Sequence, residues 1–299
     1  MGTAANSSTT IGQPAWAEGS LSNKQFTALS SLIHQVVGIQ LPQAKKVMLE
    51  ARLRKRLRVL GMDSYSDYCD FVFGQGPMGP EMIHLIDVVT TNKTDFFREP
   101  QHFEYLVRVA LPALARESDA GTSRPLMVWS AGCSTGEEPY TLAMVLAEYA
   151  EAHAGFSSAI LATDICTEVL EHAKRAIYKT ELIDPIPPAL RRKYLLMSKD
   201  RQQGLVRVVP GLRDQVRFRR LNFLEGDFGM REPMDVIFCR NVFIYFDRPT
   251  QEAILNRFAR HLAPRGFVFL GHSESINGLD VPLQQEAPTV YRKIKGGAR

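Results

Sequence analysis

The chain has 299 residues, 45% of them hydrophobic and 23% charged, with a formal net charge of +4. That length supplies core for one large or two moderate domains without staples, and the excess of cations is too small by itself to require a nucleic-acid partner. Four dispersed cysteines with no Cys-x-x-Cys pair point to a reducing, cytoplasmic setting, and the lack of a signal peptide or an apolar run of roughly 20 residues argues against secretion and direct membrane insertion.

Residues 1–20 are rich in Ser, Thr, Ala and Gly and read as a flexible tail. From 21 to 116 the pattern is helical: Phe26, Leu29, Leu32, Ile33 and Val36 share a face, and Gly38 ends that helix. The next helix, Lys45 to Leu60, carries seven cations against one acid, Glu50. With Leu49, Leu53, Leu57 and Leu60 as its buried stripe, Arg54, Lys55 and Arg58 point away from the core, and Arg52 and Arg56 run along one edge. Such a ridge is either a docking surface for a polyanionic partner or a face kept soluble by charge. It carries no interleaved aromatics, which weakens the case for single-stranded nucleic acid.

Between Val88 and Phe103, the run Thr-Thr-Asn-Lys-Thr-Asp is poor helix material, followed by Phe96 and Phe97. It reads as a lid or hinge anchored by Phe96, Phe97 and Phe103, with Asn92, Thr94 and Arg98 toward a cleft, or as a plain connecting loop. Leu126 to Trp129 is a short apolar strand; Gly132 and Gly136 permit a tight turn, and Thr135-x-x-Glu138 is a capping-box pattern with Pro139 in the first turn of a helix. A phosphate-binding loop would place Lys after its last glycine. Here Glu137 and Glu138 follow, which would repel a polyphosphate and suit a cationic, phosphate-free nucleoside cofactor such as S-adenosylmethionine; the plainer alternative is that Glu138 caps and Glu137 is solvated. Ser158 to Asp164 is a second apolar strand ending in an acid 28 positions after Gly136, where an open α/β sheet places its ribose ligand; Asp164 also suits an N-cap of the next helix.

Three motifs in one order, Thr-Asn-Lys-Thr-Asp-Phe-Phe-Arg-Glu, Ser-Thr-Gly-Glu-Glu-Pro-Tyr and Ala-Thr-Asp-Ile, are joined downstream by Leu221-Asn-Phe-Leu-Glu225 and by Ile237 to Phe246. With them the chain, from about Leu21 to Ile294, resembles the chemotaxis receptor methyltransferases, the CheR family. The resemblance implies an α/β fold: a Rossmann-like S-adenosylmethionine-dependent methyltransferase domain over 117–299 with a small β-subdomain inserted at 178–215, preceded by an all-α N-terminal domain. It implies methyl esterification of receptor glutamates, S-adenosylhomocysteine as product, and no metal. The partners would be the cytoplasmic domains of methyl-accepting chemoreceptors, with a receptor C-terminal tail held at the β-subdomain, and no nucleic acid. Asn92, Thr94, Arg98, Glu137, Asp164, Asn222, Phe223, Arg240, Asn241 and Tyr245 match cofactor-site or active-site positions, and Arg52 with Arg54, Lys55, Arg56 and Arg58 matches the receptor-docking helix. Lys93 and Asp95 depart from the lid pattern without changing a needed charge.

Further along, Pro185, Pro187 and Pro188 break the helix-strand alternation, and Gly204 to Pro210 alternates as a strand, so the insertion is expected there. Val216 to Phe223 resumes the sheet, with Asn222 near its end. Asp235 to Cys239 is apolar enough for a central parallel strand, and Arg240, Asn241 and Tyr245 follow at its carboxyl end, where ligands bind. An Arg there is expensive to bury unpaired, which favours a functional partner. Gln251 to Leu262 reads as a helix, Gly266 to Gly271 and Thr289 to Ile294 as the last two strands.

Methyl transfer to a carboxylate, already ionised at neutral pH, needs no base, only an oxygen held in line with the methyl group and water excluded. Arg98, Arg240 and Tyr245 are assigned to that task. Two rivals are a nucleic-acid methyltransferase and a non-catalytic cofactor-binding adaptor. The first would place a Pro-Pro-aromatic element where this chain reads Cys-Arg-Asn-Val.

Overall fold

The computed structural model describes residues 19–294, so the expected tail lies almost wholly outside the described residues. The chain divides into two compact units, one of residues up to 32 with 41–89, the other of 33–40 with 90 onward. The expected end of the helical domain at 116 therefore moves to 89. The physical reason is apolar: Phe103, Leu106, Leu111 and Leu114 join the same core as the sheet residues Val128 and Phe238.

The first unit holds most of helix α1 (Asn23–Val37), then α2 (Lys46–Leu60), α3 (Tyr65–Gln75) and α4 (Glu81–Val89). Along α2 the apolar residues Leu49, Leu53 and Leu57 are buried at a spacing of four, while Arg54, Lys55 and Arg58 are exposed. Gly61 ends it in the left-handed conformation. Arg52 and Arg56 have a different job from their neighbours. Arg56 grips the buried Glu81 through two bonds of 2.8 and 2.6 Å, and Arg52 donates to the carbonyls of Val88 and Val89 at the end of α4, where a cation offsets the helix dipole.

The second unit runs through α5 (Pro100–Tyr105), α6 (Leu111–Ser118), β1 (Leu126–Ala131), α7 (Glu137–Ala152), β2 (Ser158–Asp164), α8 (Thr167–Arg175) and β3 (Ile177–Lys179). It continues with α9 (Pro188–Tyr194), β4 (Leu195–Met197), β5 (Leu205–Val208), α10 (Pro210–Arg213), β6 (Val216–Arg220) and β7 (Met234–Cys239). The last elements are α11 (Arg248–His261), β8 (Leu262–Leu270), β9 (Leu283–Ala287) and β10 (Val290–Lys293). A seven-stranded sheet has the order β6-β2-β1-β7-β8-β10-β9, parallel from β6 to β8, with β10 antiparallel to both of its neighbours. Strand β9, polar on its exposed positions, was not legible as a strand.

Alternation along the strands sorts the core into two faces. Val128, Phe238 and Phe269 pack with residues of α5, α6 and α7; Trp129, Ile237 and Val268 pack with Phe258 and Leu255 of α11. Trp129 is fully buried, meets the Phe258 ring edge-on at 4.8 Å, and donates its indole N–H to Thr163 at 2.9 Å, so its polar tip is satisfied. A separate antiparallel sheet, β3-β5-β4, begins one residue before the 178–215 segment where an insertion is expected and otherwise lies inside it, with β3 and β4 each paired to β5. No helix among the described residues is long and apolar enough to cross a membrane.

Candidate active site at the carboxyl ends of the parallel strands

Strand order reverses direction between β1 and β7: β2 and β6 lie on one side of β1, β7 and β8 on the other. The crevice outside the carboxyl ends at such a reversal is where open α/β sheets bind ligands. The turn after β1 opens there. Gly132 takes φ +87° and Gly136 φ +102°, and a Cβ on them would lie 2.5 Å from Val242 Cγ2 and 2.7 Å from the Tyr178 hydroxyl, so neither position tolerates a larger residue.

Asp164, at the end of β2, is buried, and each carboxylate oxygen accepts a backbone N–H: Oδ2 from Ser134 in the glycine turn at 2.8 Å, Oδ1 from Cys166 at 3.0 Å. The N-cap of α8 is Cys166, so Asp164 clamps the turn to the strand instead of capping that helix. It stands at the carboxyl end of the second strand, where an open α/β sheet meets the hydroxyls of a bound ribose.

The capping box is absent. Gly136 is the N-cap of α7 and has no side chain to offer; Thr135 Oγ1 donates to Glu137 Oε2 at 2.6 Å, and Glu138 turns into the core. Glu138 accepts Ser130 Oγ and Arg240 Nε, both at 2.7 Å. Burial pushes the Glu137 carboxyl up to about 7, against the lowering effect of its bond from Thr135. An arriving cation would lower that carboxyl again, and the ammonium of a phosphate-free nucleoside is one. The donor set of Asp164 and Glu137 thus fits S-adenosylmethionine and not a nucleotide phosphate.

The segment leading into α5 is pinned as an anchored strap: Phe96 and Phe103 are buried, and Phe97 N–H donates to Thr141 Oγ1 at 3.1 Å. Phe97 and Glu99 adopt positive φ, +52° and +55°. Asn92, Thr94 and Arg98 are half-buried along it; Asn92 accepts Ser134 Oγ at its carbonyl, at 2.8 Å, and Arg98 reaches the Lys93 carbonyl at 3.3 Å. The structure therefore brings Asn92, Glu137 and Asp164 around one turn.

Arg240 does not extend toward an incoming group. Its side chain is 2% exposed and its guanidinium is held by Glu138, by the Arg98 carbonyl at 2.5 Å and, at 3.5 Å, by Glu99. The partner that its burial required is internal, and Arg240 fastens the strap to β7 and α7. Asn241 follows at φ +60°, its N–H donating to Glu274 at 3.0 Å. Tyr245 is half-buried and its hydroxyl reaches the Thr91 carbonyl at 3.4 Å. Asn222 uses its amide inside the fold, donating to the distant Val36 carbonyl at 2.8 Å and accepting Leu224 N–H at 3.0 Å. Phe223 packs into the aromatic cluster of Trp129, Phe228 and Phe258.

Two acids that the sequence reading passed over organise this end of the sheet. Glu274, nearly buried, accepts the N–H groups of Gly271, Asn241 and Phe243 at 2.6, 3.0 and 2.7 Å and so shapes the loop after β7; burial raises its pKa. Glu99 is the other. The signal for Glu274 was present as an acid three residues past Gly271, at the end of an all-apolar strand.

A doubly wound sheet, a glycine turn without a phosphate anchor and an acid at the end of the second strand define an S-adenosylmethionine-dependent methyltransferase. The comparisons with known proteins agree: the CheR methyltransferase SAM binding domain matches residues 92–291, and the CheR methyltransferase all-alpha domain matches residues 24–90. Chemotaxis protein methyltransferases align along nearly their whole lengths. That of Borreliella burgdorferi is 36% identical over 91% of this chain and 95% of its own, that of Klebsiella aerogenes 41% identical over 92% and 91%, and that of Escherichia coli 40% identical over 92% of each. The chain belongs to the CheR methyltransferase family.

Proposed function

We propose that this protein works in the cytoplasm, transferring the methyl group of S-adenosylmethionine to glutamate side chains on the cytoplasmic domains of methyl-accepting chemoreceptors to give methyl esters. The observation that carries this reading is the match of both domains, in order, to chemotaxis protein methyltransferases. Membership also disfavours a nucleic-acid methyltransferase and a non-catalytic adaptor.

The cofactor supplies an activated methyl group on a sulfonium. Around it, Asp164 holds the ribose hydroxyls and Glu137 the ammonium, with Asn92, Thr94 and Asn241 completing the contacts. Asn222 and Phe223 act through the loop they hold after β6. Arg98 orients the acceptor carboxylate and Tyr245 lines the transfer path. Arg240, buried on Glu138 and Glu99, is a positioning residue that sets where Arg98 sits by gripping its carbonyl. The acceptor arrives ionised, so the protein's contribution is alignment and exclusion of water.

For docking, the exposed face of α2 presents Arg54, Lys55 and Arg58 beside the exposed Val47 and Val59. Mixed charge and apolar contact suits an acidic protein helix better than a phosphate backbone. Arg52 and Arg56 support that face from behind through α4. In the inserted sheet, the edge strand β4 shows Leu196 and Met197 to solvent, and an extended receptor tail pairing there would form a fourth strand.

The decisive test is to incubate the protein with methyl-labelled S-adenosylmethionine and either receptor-containing membranes or nucleic acid. Label should enter receptor protein and be released as volatile methanol in mild alkali. Base-stable label, or label on nucleic acid, overturns glutamate esterification.

A further inference from the structure

Residues 34–40, the last turn of α1 and the segment that leaves it, belong to the second unit and run between two loops at the carboxyl ends of its large sheet. Gly38 closes the helix at φ +74°, its N–H donating to the His34 carbonyl at 2.8 Å, and Val37 and Ile39 are buried on either side. Toward the loop after β6, the Val36 carbonyl accepts Asn222 Nδ2–H at 2.8 Å. Toward the loop after β7, Gln40 N–H donates to the Tyr245 carbonyl at 2.9 Å. In the sheet, β2 and β1 lie between β6 and β7, and their carboxyl ends lead into Asp164 and the glycine turn. The segment therefore joins the two loops that flank the cofactor edge.

The polar backbone groups of the loop after β7 have three holders. Glu274 takes the N–H groups of Asn241 and Phe243, and Gln251 Nε2 donates to the carbonyls of Phe243 and Phe246 at 2.9 and 3.0 Å. The Tyr245 carbonyl, between them, is held by Gln40. A backbone bond places the residue itself, whereas the 3.4 Å approach of the tyrosine hydroxyl to the Thr91 carbonyl fixes only the far end of a rotatable side chain.

Gly38 adds a second hold by shape. A Cβ there would stand 3.2 Å from Thr250 Cγ2 and 3.3 Å from both Leu224 Cδ2 and Phe246 Cδ1, so the bare backbone packs against α11 and against both loops at once. Asp247, the N-cap of α11, faces the same segment: Oδ1 accepts Thr250 N–H at 2.9 Å, and Oδ2 lies 3.3 Å from His34 Nε2 and 3.4 Å from Gln40 Nε2. Those last two contacts are long and exposed, so they add little beside the backbone bond and the glycine seat.

We propose that Gly38 and Gln40 are positioning residues for methyl transfer, which fix the loop after β7 so that Tyr245 stands along the transfer path. They act through Tyr245, and the role rests on the reading that Tyr245 lines that path. The expected effect is on rate, because alignment is what the protein contributes, and a displacement of about 1 Å from the productive geometry costs on the order of a hundredfold.

The test uses the full chain, methyl-labelled S-adenosylmethionine and receptor-containing membranes, reading kcat at saturating cofactor, S-adenosylhomocysteine affinity by calorimetry and the thermal midpoint, with every assay run well below that midpoint. Gln40→Pro removes the N–H that holds Tyr245; Gly38→Ala adds a Cβ that presses on Phe246 and puts a side chain at positive φ. Each should lower kcat at least about tenfold while S-adenosylhomocysteine affinity stays within about threefold, and Gly38→Ala carries the test alone if the proline variant does not fold. Gln40→Ala keeps the backbone N–H and loses only the exposed amide, so its kcat should stay within about twofold of the parent. Tyr245→Ala, assayed in parallel, separates the two claims: parent-like turnover there removes Tyr245 from the path and the positioning role with it. An impaired Tyr245→Ala beside parent-like kcat in folded Gly38→Ala overturns the positioning role alone. Equal losses of kcat and cofactor affinity, or a Gln40→Ala as slow as Gln40→Pro, overturn it as well.

Discussion

The two edges of the large sheet use the same residue types, arginines facing acids, to opposite ends. At the amino edge, Asp235 is fully buried and fully answered: Arg124 grips it at 2.8 and 2.6 Å, and Met127 N–H donates to it at 2.9 Å. Nearby, Glu117 takes both Arg265 and Arg292, and the Arg265 hydrogen bond foremost holds its carboxyl below the usual carboxylate range. At the carboxyl edge the acids are left incomplete. Glu137 has one side-chain donor, and Glu99 Oε2 has no hydrogen bond among the described residues. Complete pairing marks structure. Incomplete pairing, held in place by a completed neighbour such as Arg240, marks a site built for something that arrives from outside.

The largest expected effect separates those two kinds of pair. Arg240→Ala leaves Glu138 and Glu99 buried without their cation and should cost about 3–5 kcal/mol in denaturant unfolding. Turnover should fall in whatever fraction stays folded. An unfolding midpoint matching the parent would show that Arg240 organises nothing.

Next comes pH. The folded pKa of Glu137, about 7, lies above its ordinary value of 4.5 because burial disfavours the charge. Between those values the folded chain holds a proton that the unfolded chain has lost. Stability therefore falls as pH rises from 4.5 toward 7, by roughly 3 kcal/mol for this group, and Glu137→Gln should flatten that fall. Cofactor affinity should rise over the same range as Glu137 ionises to meet the ammonium, and calorimetry on both proteins at about pH 5.5 and about pH 8 would read it. A parallel pH dependence in the two proteins would remove Glu137 from the cofactor's cationic end.

Asp164→Ala and Asp235→Ala form a matched pair across the sheet. Each should cost about 1–3 kcal/mol, but in different assays: Asp164→Ala in cofactor affinity, Asp235→Ala in stability with affinity unchanged. Swapped outcomes would invert the reading of the two edges. The smallest change in folding belongs to α2, where replacing Arg54, Lys55 and Arg58 with Ala should leave stability within about 0.5 kcal/mol and cofactor binding intact while lowering receptor methylation. Equal methylation by this variant and the parent would move docking elsewhere.

What the sequence determined by itself was local. Alternation and apolar runs marked β1, β2 and β7, the spacing of Leu49, Leu53 and Leu57 oriented α2, and the glycine turn with Asp164 located the cofactor edge, because each pattern is written within a few residues by strand or helix geometry. What only the tertiary structure decided was who partners whom at long range. Thr135 and Glu138 spell a capping box, yet Glu138 bonds Arg240, 102 positions away, because a buried guanidinium needs a carboxylate more than a helix start needs a side-chain cap. The meeting of Arg240 with Glu99 and His102, the four-residue spread of loop N–H groups around Glu274 and the passage of residues 90–116 from the helical unit to the sheet's core are decisions of the same kind. Burial strips water from polar groups wherever the chain brings them together, and the partner that replaces that water is chosen by proximity in the folded molecule, which no local pattern encodes.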